Sequence, residues 1–575
     1  MCGILGGNNR KWKYDQAIAC MNHRGPDATR ISALGDITLA FARLSIMDLS
    51  ERAMQPMDSE DGRVHIVFNG EIYGFQSLRS DLEKHHRFCT TSDTEVLLNA
   101  YLEYGDDFIE HIDGMFGIAI YDERDSIIRL YRDRVGIKPL YYYICGDEFA
   151  FSSELKGITQ LIGRQNLKVD DTAIYDFLNY QYIPSPKSLY QNVYKLEPGC
   201  FIRYDVHKRR LISDGRYWKL EVNSSSAYTG SQDEISAELR RLISAEISKQ
   251  MVADVPVGTF LSGGVDSSIV TYEASRVKPD VCAFSIGFKD SVFDESRYAQ
   301  MLTDKYSLNC VTKVLGSEDI ENSKGSLRDW YDEPFADTSA YPTFLVSQLA
   351  RSRVTVVLTG DGGDELFAGY DRYERFLMRR QPLKRIGTVT KRIIKLMLRY
   401  GLKPNDISEL WESDFTIYRN EMGMPVVYPN VSVEEFAQKL DIPKGYDKSW
   451  AFRRYWIEDL PPLTRLKYLD FMTYLPEDVL TKVDRASMQV SLECRVPLLS
   501  RDIVEYAFSL SEQDCCPQNM LKGCLKKAYE GIIPDEILYR PKMGFAVPYG
   551  YLRDEWDSGH VWLGVLQREW GELVS

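Results

Sequence analysis

Cys2 directly follows the initiator methionine in Met1-Cys2-Gly3-Ile4-Leu5-Gly6. Removal of Met1 would leave one residue carrying both a thiol nucleophile and a free α-amine. Such an amine titrates near ~8 and can take the thiol's proton, as it does for N-terminal threonine nucleophiles. A cysteine at position 2 can also be an accident, so the chemistry has to be judged by its partners. Asn69 and Gly70, in Asn69-Gly70-Glu71-Ile72-Tyr73, offer a side-chain amide beside a glycine N–H, two donors able to converge on one oxyanion. Arg43, in Ala42-Arg43-Leu44-Ser45-Ile46, can fork onto a carboxylate. Asp93, in Thr91-Ser92-Asp93-Thr94-Glu95, can accept from an α-ammonium, although a helix start explains it equally. Nucleophile, oxyanion donors and both anchors for an amino acid such as glutamine are present.

A second set lies in the other half. Ser262-Gly263-Gly264-Val265-Asp266-Ser267-Ser268 follows the apolar run Val257–Leu261 and opens a helical pattern. Its glycines admit an anion close to the backbone, and its hydroxyls and helix N-terminal amides can hold phosphate oxygens. It lacks the lysine of a Walker A loop, and a plain strand–helix turn is the alternative. Asp361-Gly362-Gly363-Asp364-Glu365 follows the run Val354–Leu358. Asp266 and Asp364 could share Mg²⁺ with phosphates, a ligand set this ion favours. Lys542, in Arg540-Pro541-Lys542-Met543-Gly544-Phe545, places a cation where phosphate charge could develop.

These residues need scaffolds. The 575 residues suffice for two or three domains with sizeable cores. In the N-terminal third, the apolar runs Val64–Phe68, Met115–Tyr121, Ile127–Tyr131 and Leu140–Ile144 predict strands, and Leu78–Lys84 and Thr94–Tyr104 predict helices. This is an α+β domain on antiparallel sheets. The polar stretch Asn223–Asp233 reads as a linker. Beyond it a helical pattern, Glu234–Lys249, precedes the runs Val257–Leu261, Val281–Ile286 and Val354–Leu358. Strands alternating with helices predict a parallel, doubly wound sheet that binds ligands beyond its strand C-termini. From Tyr370 onward the pattern is mostly helical.

A net charge of −14 argues against a general nucleic-acid binder. No apolar run approaches the ~20 residues of a membrane span, and no signal-peptide layout is present, so a cytoplasmic location is expected. The eleven cysteines, including Cys515–Cys516, and the seven histidines show no metal or disulfide spacing.

In their order, Cys2-Gly3-Ile4, His23-Arg24-Gly25-Pro26-Asp27, Arg43–Ile46, Asn69–Tyr73 and Ser92-Asp93 resemble the class II glutamine amidotransferase domain, an N-terminal nucleophile fold. Ser262–Ser268, Gly360–Glu365 and Arg540–Phe545 resemble the PP-loop ATP pyrophosphatase domain of glutamine-hydrolysing asparagine synthetases. The resemblance implies a glutaminase domain over 2–215 and a synthetase domain over 234–570. Cys2 would form a thioester with glutamine, Asn69 and Gly70 would form the oxyanion hole, and Arg43 and Asp93, with backbone at Ile46 and Glu71, would hold glutamine. Ser262, Gly263, Gly264, Asp266, Ser267 and Thr359 would bind ATP, with Phe260, Ile286 and Gly360 at its adenosine. Asp266 and Asp364 would hold Mg²⁺, and Lys542 would stabilise adenylation. Ammonia, passed through an internal tunnel, would then convert an acyl-AMP into an amide. Aspartate is the first expectation for the acceptor, with a uronic acid as the alternative, and a homodimer is an arrangement the resemblance allows.

Three positions depart from that pattern. Gly74 stands where relatives often have Asn, and Ser500 where Asp is frequent. Asp361 takes the place of a catalytic Glu, withdrawing the carboxylate by one methylene, about 1.5 Å. Separately, Arg372–Arg399 holds ten Lys/Arg and one acid, Glu374, and reads as a solvated helix face or as a dock for an anionic acceptor.

Overall fold

In a computed structural model of the chain, the described residues are 1–222, 230–290, 294–323, 327–385, 413–422, 438–544, 547 and 570. Most of the polar stretch 223–233, residues 386–399 of the basic stretch, and Phe545 lie outside them.

The N-terminal half contains two six-stranded sheets, antiparallel throughout. One runs in the order Val193–Lys195, Tyr141–Cys145, Glu148–Ser152, Gly3–Gly7, Ile37–Arg43, Ala28–Leu34. The other runs Arg210–Arg216, Cys200–Asp205, Ile127–Arg132, Gly114–Asp122, Val64–Ile72, Met57–Asp58. Alternation along each strand sets the layers. Ile4, Phe41, Val67, Ala119 and Leu130 point into one apolar layer between the sheets. Their neighbours point outward. Leu5 packs with the helices Tyr14–Ala19 and Leu155–Ile162, and Ile66 and Phe68 pack with the helix Asp93–Tyr104. Each such side chain, fully buried, contributes about 1.5–3 kcal/mol. The α+β architecture expected from the apolar runs is the one observed.

The helix expected over Leu78–Lys84 begins earlier, at Phe75, because Gly74 adopts φ +62° and turns the chain into it. Asn tolerates the same left-handed conformation, so the departure at Gly74 preserves the turn.

The second half is built on a parallel sheet ordered Asn309–Leu315, Cys282–Phe288, Val257–Phe260, Val356–Leu358, Glu493–Arg495. Before it, the helix Gln232–Gln250 starts at a capping box made by Ser231 and Glu234. The strand expected over Val354–Leu358 begins two residues late. Val354 N still donates to Ala350 O, 2.9 Å away, at the end of the helix Ala340–Arg351. The edge strand Glu493–Arg495 falls in the region read as helical. It has three residues, two of them charged, too few for a periodic signal.

An ionic seam joins the halves. Arg24 is fully buried and its Nη1 donates to Glu154 Oε1 and Asp484 Oδ2, both at 2.8 Å. Arg485 Nη1 lies 2.8 Å from Glu154 Oε1, and Lys138 Nζ lies 3.5 Å from Asp484 Oδ1. Among the described residues, no helix is long and apolar enough to cross a membrane. Arg24→Met is expected to destabilise the fold by about 3 kcal/mol, the low end for a broken buried pair, because Arg485 and Lys138 remain. Denaturant unfolding of the full chain measures this.

Candidate active sites

Cys2 sits at the start of the central strand Gly3–Gly7, between the two sheets. Its backbone N–H donates to Asn69 Oδ1 at 3.0 Å, which fixes the amide of Asn69 beside it. The other end of that amide, Nδ2, is buried and has no hydrogen-bond partner. A buried donor left open beside a thiol is what an oxyanion hole requires before substrate arrives. Gly70 follows on the same strand and lines the cavity at Cys2. Burial pushes the Cys2 thiol up, against the pull of the Met1 ammonium, and the thiol donates to the Leu44 carbonyl 3.8 Å away. A thiol held neutral in this way needs a base.

Arg43 closes the strand Ile37–Arg43 and also lines the cavity. Its guanidinium donates to the carbonyls of Ser50, at 2.8 Å, and Asp48. Among the described residues no carboxylate lies within ion-pairing distance, so its charge is available to an anion. Asp93 begins the helix Asp93–Tyr104 and its Oδ2 accepts from Ile72 N at 3.0 Å. Burial pushes its carboxyl up to about 6. Glu71 is also raised, by burial and then by Asp93, and its Oε2 lies 3.1 Å from Arg495 Nη2. The carbonyl of Ile46 accepts from Asp254 N at 3.0 Å. Cys2, Arg43, Ile46, Gly70, Glu71 and Asp93 therefore share one cavity.

Met1 fills that cavity. Its α-ammonium meets Glu493 Oε2 at 3.0 Å with both groups fully buried. About 40 Å³ remains free, far below the ~300 Å³ at which ligand pockets begin. With Met1 in place there is room for water but not for an amino acid, and the nitrogen of Cys2 is an amide rather than an amine.

The second site is a cleft of about 910 Å³ at the C-terminal ends of the parallel strands. Phe260, Ser262, Gly264, Asp266, Ser267, Ile286, Thr359, Gly360, Asp361, Asp364 and Lys542 all line it. Ser262 Oγ and Ser267 Oγ are 3.0 Å apart at the start of the helix Val265–Val277, whose first amides carry the positive end of the helix dipole. Gly360 is required where the two loops touch, since a Cβ there would lie 2.7 Å from Ser267 N. Gly263, the remaining residue expected at ATP, is not among the residues that line the cleft. It turns at φ +76°, packs on Tyr298, accepts from Arg540 Nη2 at 3.0 Å, and lies behind the cleft lining.

The acidic pair expected to hold a cation is bridged by lysines. Lys522 Nζ contacts Asp266 Oδ2 and lies 2.6 Å from Asp364 Oδ1, while Lys542 Nζ lies 2.6 Å from Asp364 Oδ2. Burial alone would raise Asp364, but the two ammonium groups outweigh it and hold the carboxyl well below its usual range. Asp266 moves the other way, because burial, reinforced by the charge of Asp364, exceeds the pull of Lys522 and Lys542. Burial also lowers the Lys542 ammonium. Asp266 Oδ1 is buried without a hydrogen-bond partner. Two carboxylates close enough to share one ammonium, with an oxygen still free, form a donor set that fits a divalent cation. Asp361 accepts from Thr359 Oγ1 at 2.7 Å and is raised by burial.

Lys522 escaped sequence reasoning because a lone Lys-Gly pair carries no spacing signal. Glu493 and Arg495 escaped it because their strand did. Of the basic stretch, the described residues Arg372, Arg375 and Arg379 are already paired, the first with Asp470 and the others with Glu421.

Known proteins bear on both halves. A family model described as asparagine synthase matches residues 238–565, and one described as a glutamine amidotransferase domain matches residues 1–218. The chain is similar to the glutamine-hydrolyzing asparagine synthetase 1 of Bacillus subtilis, 32% identical over 95% of this chain and 87% of that protein. It is 34% identical to a putative glutamine-hydrolyzing asparagine synthetase 2 of Methanocaldococcus jannaschii, over 85% of this chain and 98% of that protein. The amidase chyE of Penicillium rubens is 25% identical over 95% of this chain and 86% of its own length.

The raised Asp93 makes a test independent of any substrate. Its native carboxyl binds a proton near pH 6, whereas the unfolded chain does so near ~3.9. Stability is therefore gained as pH falls from about 7 to about 4 and lost as pH rises again. Relative to Asp93→Asn, the wild-type chain is expected to gain about 2–3 kcal/mol over that range, measured by urea unfolding at each pH.

Proposed function

This chain belongs to the asparagine synthase family, whose glutamine-dependent ligases form an amide, and from that premise we propose the following reaction for it. Glutamine is cleaved at Cys2, its ammonia passes to the cleft, and there an acceptor carboxylate activated by ATP is converted to an amide, with AMP and pyrophosphate released. Aspartate is the acceptor and asparagine the product.

Once Met1 is removed, the α-amine of Cys2 takes the thiol proton and the sulfur attacks the carboxamide carbon of glutamine. The oxyanion forms beside the open Nδ2 of Asn69 and the N–H of Gly70. Arg43, free of any described carboxylate partner, takes the α-carboxylate of glutamine, and Asp93 takes its α-ammonium, beside the backbone of Ile46 and Glu71. The protonated α-amine returns its proton to the leaving nitrogen, and water then resolves the thioester.

In the cleft, the helix start at Ser262, Gly264 and Ser267 cradles phosphates, and Phe260, Ile286, Thr359 and Gly360 bound the adenosine end. The acceptor carboxylate attacks the α-phosphorus and pyrophosphate departs toward Lys522 and Lys542, whose charges stabilise it. Asp266 and Asp364 would hold Mg²⁺, which when bound supplies further charge for the leaving pyrophosphate. Asp361, oriented by Thr359, faces the carbonyl that ammonia attacks.

The observation that carries this reading is the open Nδ2 of Asn69 beside a buried Cys2, in the same chain as the lysine-lined cleft. The shorter side chain at Asp361, together with a relative named as an amidase, supports a second reading with the same chemistry on another carboxylate, such as a uronic acid.

Two outcomes are expected. Cys2→Ala, or a chain retaining Met1, should lose glutamine-supported amide formation at least ~10³-fold while ammonia still supports it. Assays of both nitrogen sources, with N-terminal mass spectrometry, check this. Purified protein given ATP, glutamine and Mg²⁺ should release AMP and form asparagine when aspartate is added. No response to aspartate, but AMP release with another carboxylic acid, would move the assignment to the second reading.

A further inference from the structure

Neither proposed half-reaction uses the three cysteines behind the cleft. Cys515, Cys516 and Cys524 are all buried, at 1%, 6% and 0% exposure, and none is in a disulfide. Cys515 ends the short helix Glu512–Cys515, and Cys524 lies in the helix Gly523–Ala528, directly after Lys522. The helix that ends at Cys515 packs against the helix that carries Cys524. Lys467, 2% exposed, comes from the helix Pro462–Met472 and places Nζ 3.5 Å from Cys515 Sγ. Its other partners are the Ala507 carbonyl at 3.1 Å and the ring of Phe508, 4.9 Å away. Among the described residues no carboxylate comes within ion-pairing distance of Lys467.

A buried ammonium needs a counter-charge, and a thiolate at Cys515 is the one within reach. Hydrogen bonds from Cys516 and Cys524, and then the Lys467 charge, hold the Cys515 thiol well below its usual range despite burial. Burial and the Cys515 charge push Cys524 the other way, which leaves it a protonated donor. One thiolate, one cation and two neighbouring thiols are the parts of a redox site.

We propose that Cys515, Cys516, Cys524 and Lys467 form such a site, at which a small uncharged hydroperoxide oxidises Cys515 and Cys524 closes a disulfide with it. The Cys515 thiolate attacks one peroxide oxygen, the O–O bond breaks, and hydroxide leaves, giving a sulfenic acid. The Cys524 sulfur attacks that sulfur, its proton goes to the departing oxygen, and water leaves. Overall a thiolate, a thiol and hydrogen peroxide give a disulfide, water and hydroxide, with the two sulfurs oxidised and the peroxide reduced. Cys524 is the closing partner because adjacent cysteines can join only through a ring that distorts the peptide between them. Burial selects the oxidant by size and excludes disulfides as large as glutathione's. Closing the bond shortens the contact and removes the counter-charge of Lys467. Because Lys522 precedes Cys524 by two residues, its grip on Asp266 and Asp364 shifts with the helix. This last consequence rests on the function proposed for the cleft.

The test uses full-length Cys2→Ala protein with ammonia as nitrogen source, so that oxidation of Cys2 does not enter. After graded hydrogen peroxide, peptide mass spectrometry with dimedone trapping should show Cys515 oxidised roughly tenfold faster than the exposed Cys89 and Cys145. A Cys515–Cys524 disulfide should then accumulate, and oxidised glutathione should produce none. Cys524→Ser should stop the reaction at the sulfenic acid. Lys467→Met, provided its circular dichroism is that of the parent, should remove the preference for Cys515. Oxidation of Cys89 and Cys145 while Cys515 stays reduced until unfolding would overturn the proposal, as would a disulfide that forms only between Cys515 and Cys516. Ammonia-supported pyrophosphate release should fall roughly tenfold on oxidation and recover with dithiothreitol. If the disulfide forms but release is unchanged, the link to Lys522 is overturned and the redox site stands. If no acceptor supports release even when the protein is reduced, the proposed function fails instead.

Discussion

The guanidinium of Arg495 is the group on which both sites depend. It is fully buried, and its Nε donates to Glu493 Oε1 at 2.7 Å while Nη2 lies 3.1 Å from Glu71 Oε2. Nη1 donates to the carbonyls of Gln250 and Val252, each at 2.7 Å. Glu71 belongs to the strand that carries Asn69 and Gly70, and Glu493 holds the Met1 ammonium. On its other side, the Arg495 carbonyl accepts from Thr359 N at 2.9 Å, at the root of the loop carrying Asp361 and Asp364. One side chain thus compensates the acids of the first site, and its backbone anchors the second.

Such burial is costly unless every charge is matched, and here the matching crosses from one half to the other. Arg24 between Glu154 and Asp484, and Arg495 between Glu71 and Glu493, are each half of an arrangement whose remainder comes from distant sequence. The relative placement of the two sites is therefore set by ion pairing as well as by apolar packing.

Much of this was legible in the chain itself. The runs around Val64–Phe68 and Val257–Leu261 alternate or run apolar as strands must, and the Gly-rich loop after the second suits an anion. Cys2, Arg43, Asn69, Gly70 and Asp93 could be grouped because each supplies a different requirement of one reaction. Lys522, Glu493 and Arg495 could not. A lysine or an acid looks the same in sequence whether it lies in solvent or closes a buried network, and the strand Glu493–Arg495 is too short to announce itself. Gly263, read with the same loop, lies outside the residues that line the cleft. The loop motif does not say which of two adjacent glycines faces the ligand, and the positive φ turns this one toward Tyr298.

By itself the sequence determined the local alphabet: which segments alternate as strands, where glycines permit tight loops, and which reactive groups exist. Those are consequences of short-range sterics and periodicity, which act within a few residues. Only the tertiary structure decided that Met1 fills the cavity at Cys2, that Lys522 bridges Asp266 and Asp364, and that Lys467 meets a thiol instead of a carboxylate. Charge compensation in a low-dielectric interior is settled by distance in space, and chain separations such as the 492 residues between Met1 and Glu493 leave no trace of it in the sequence.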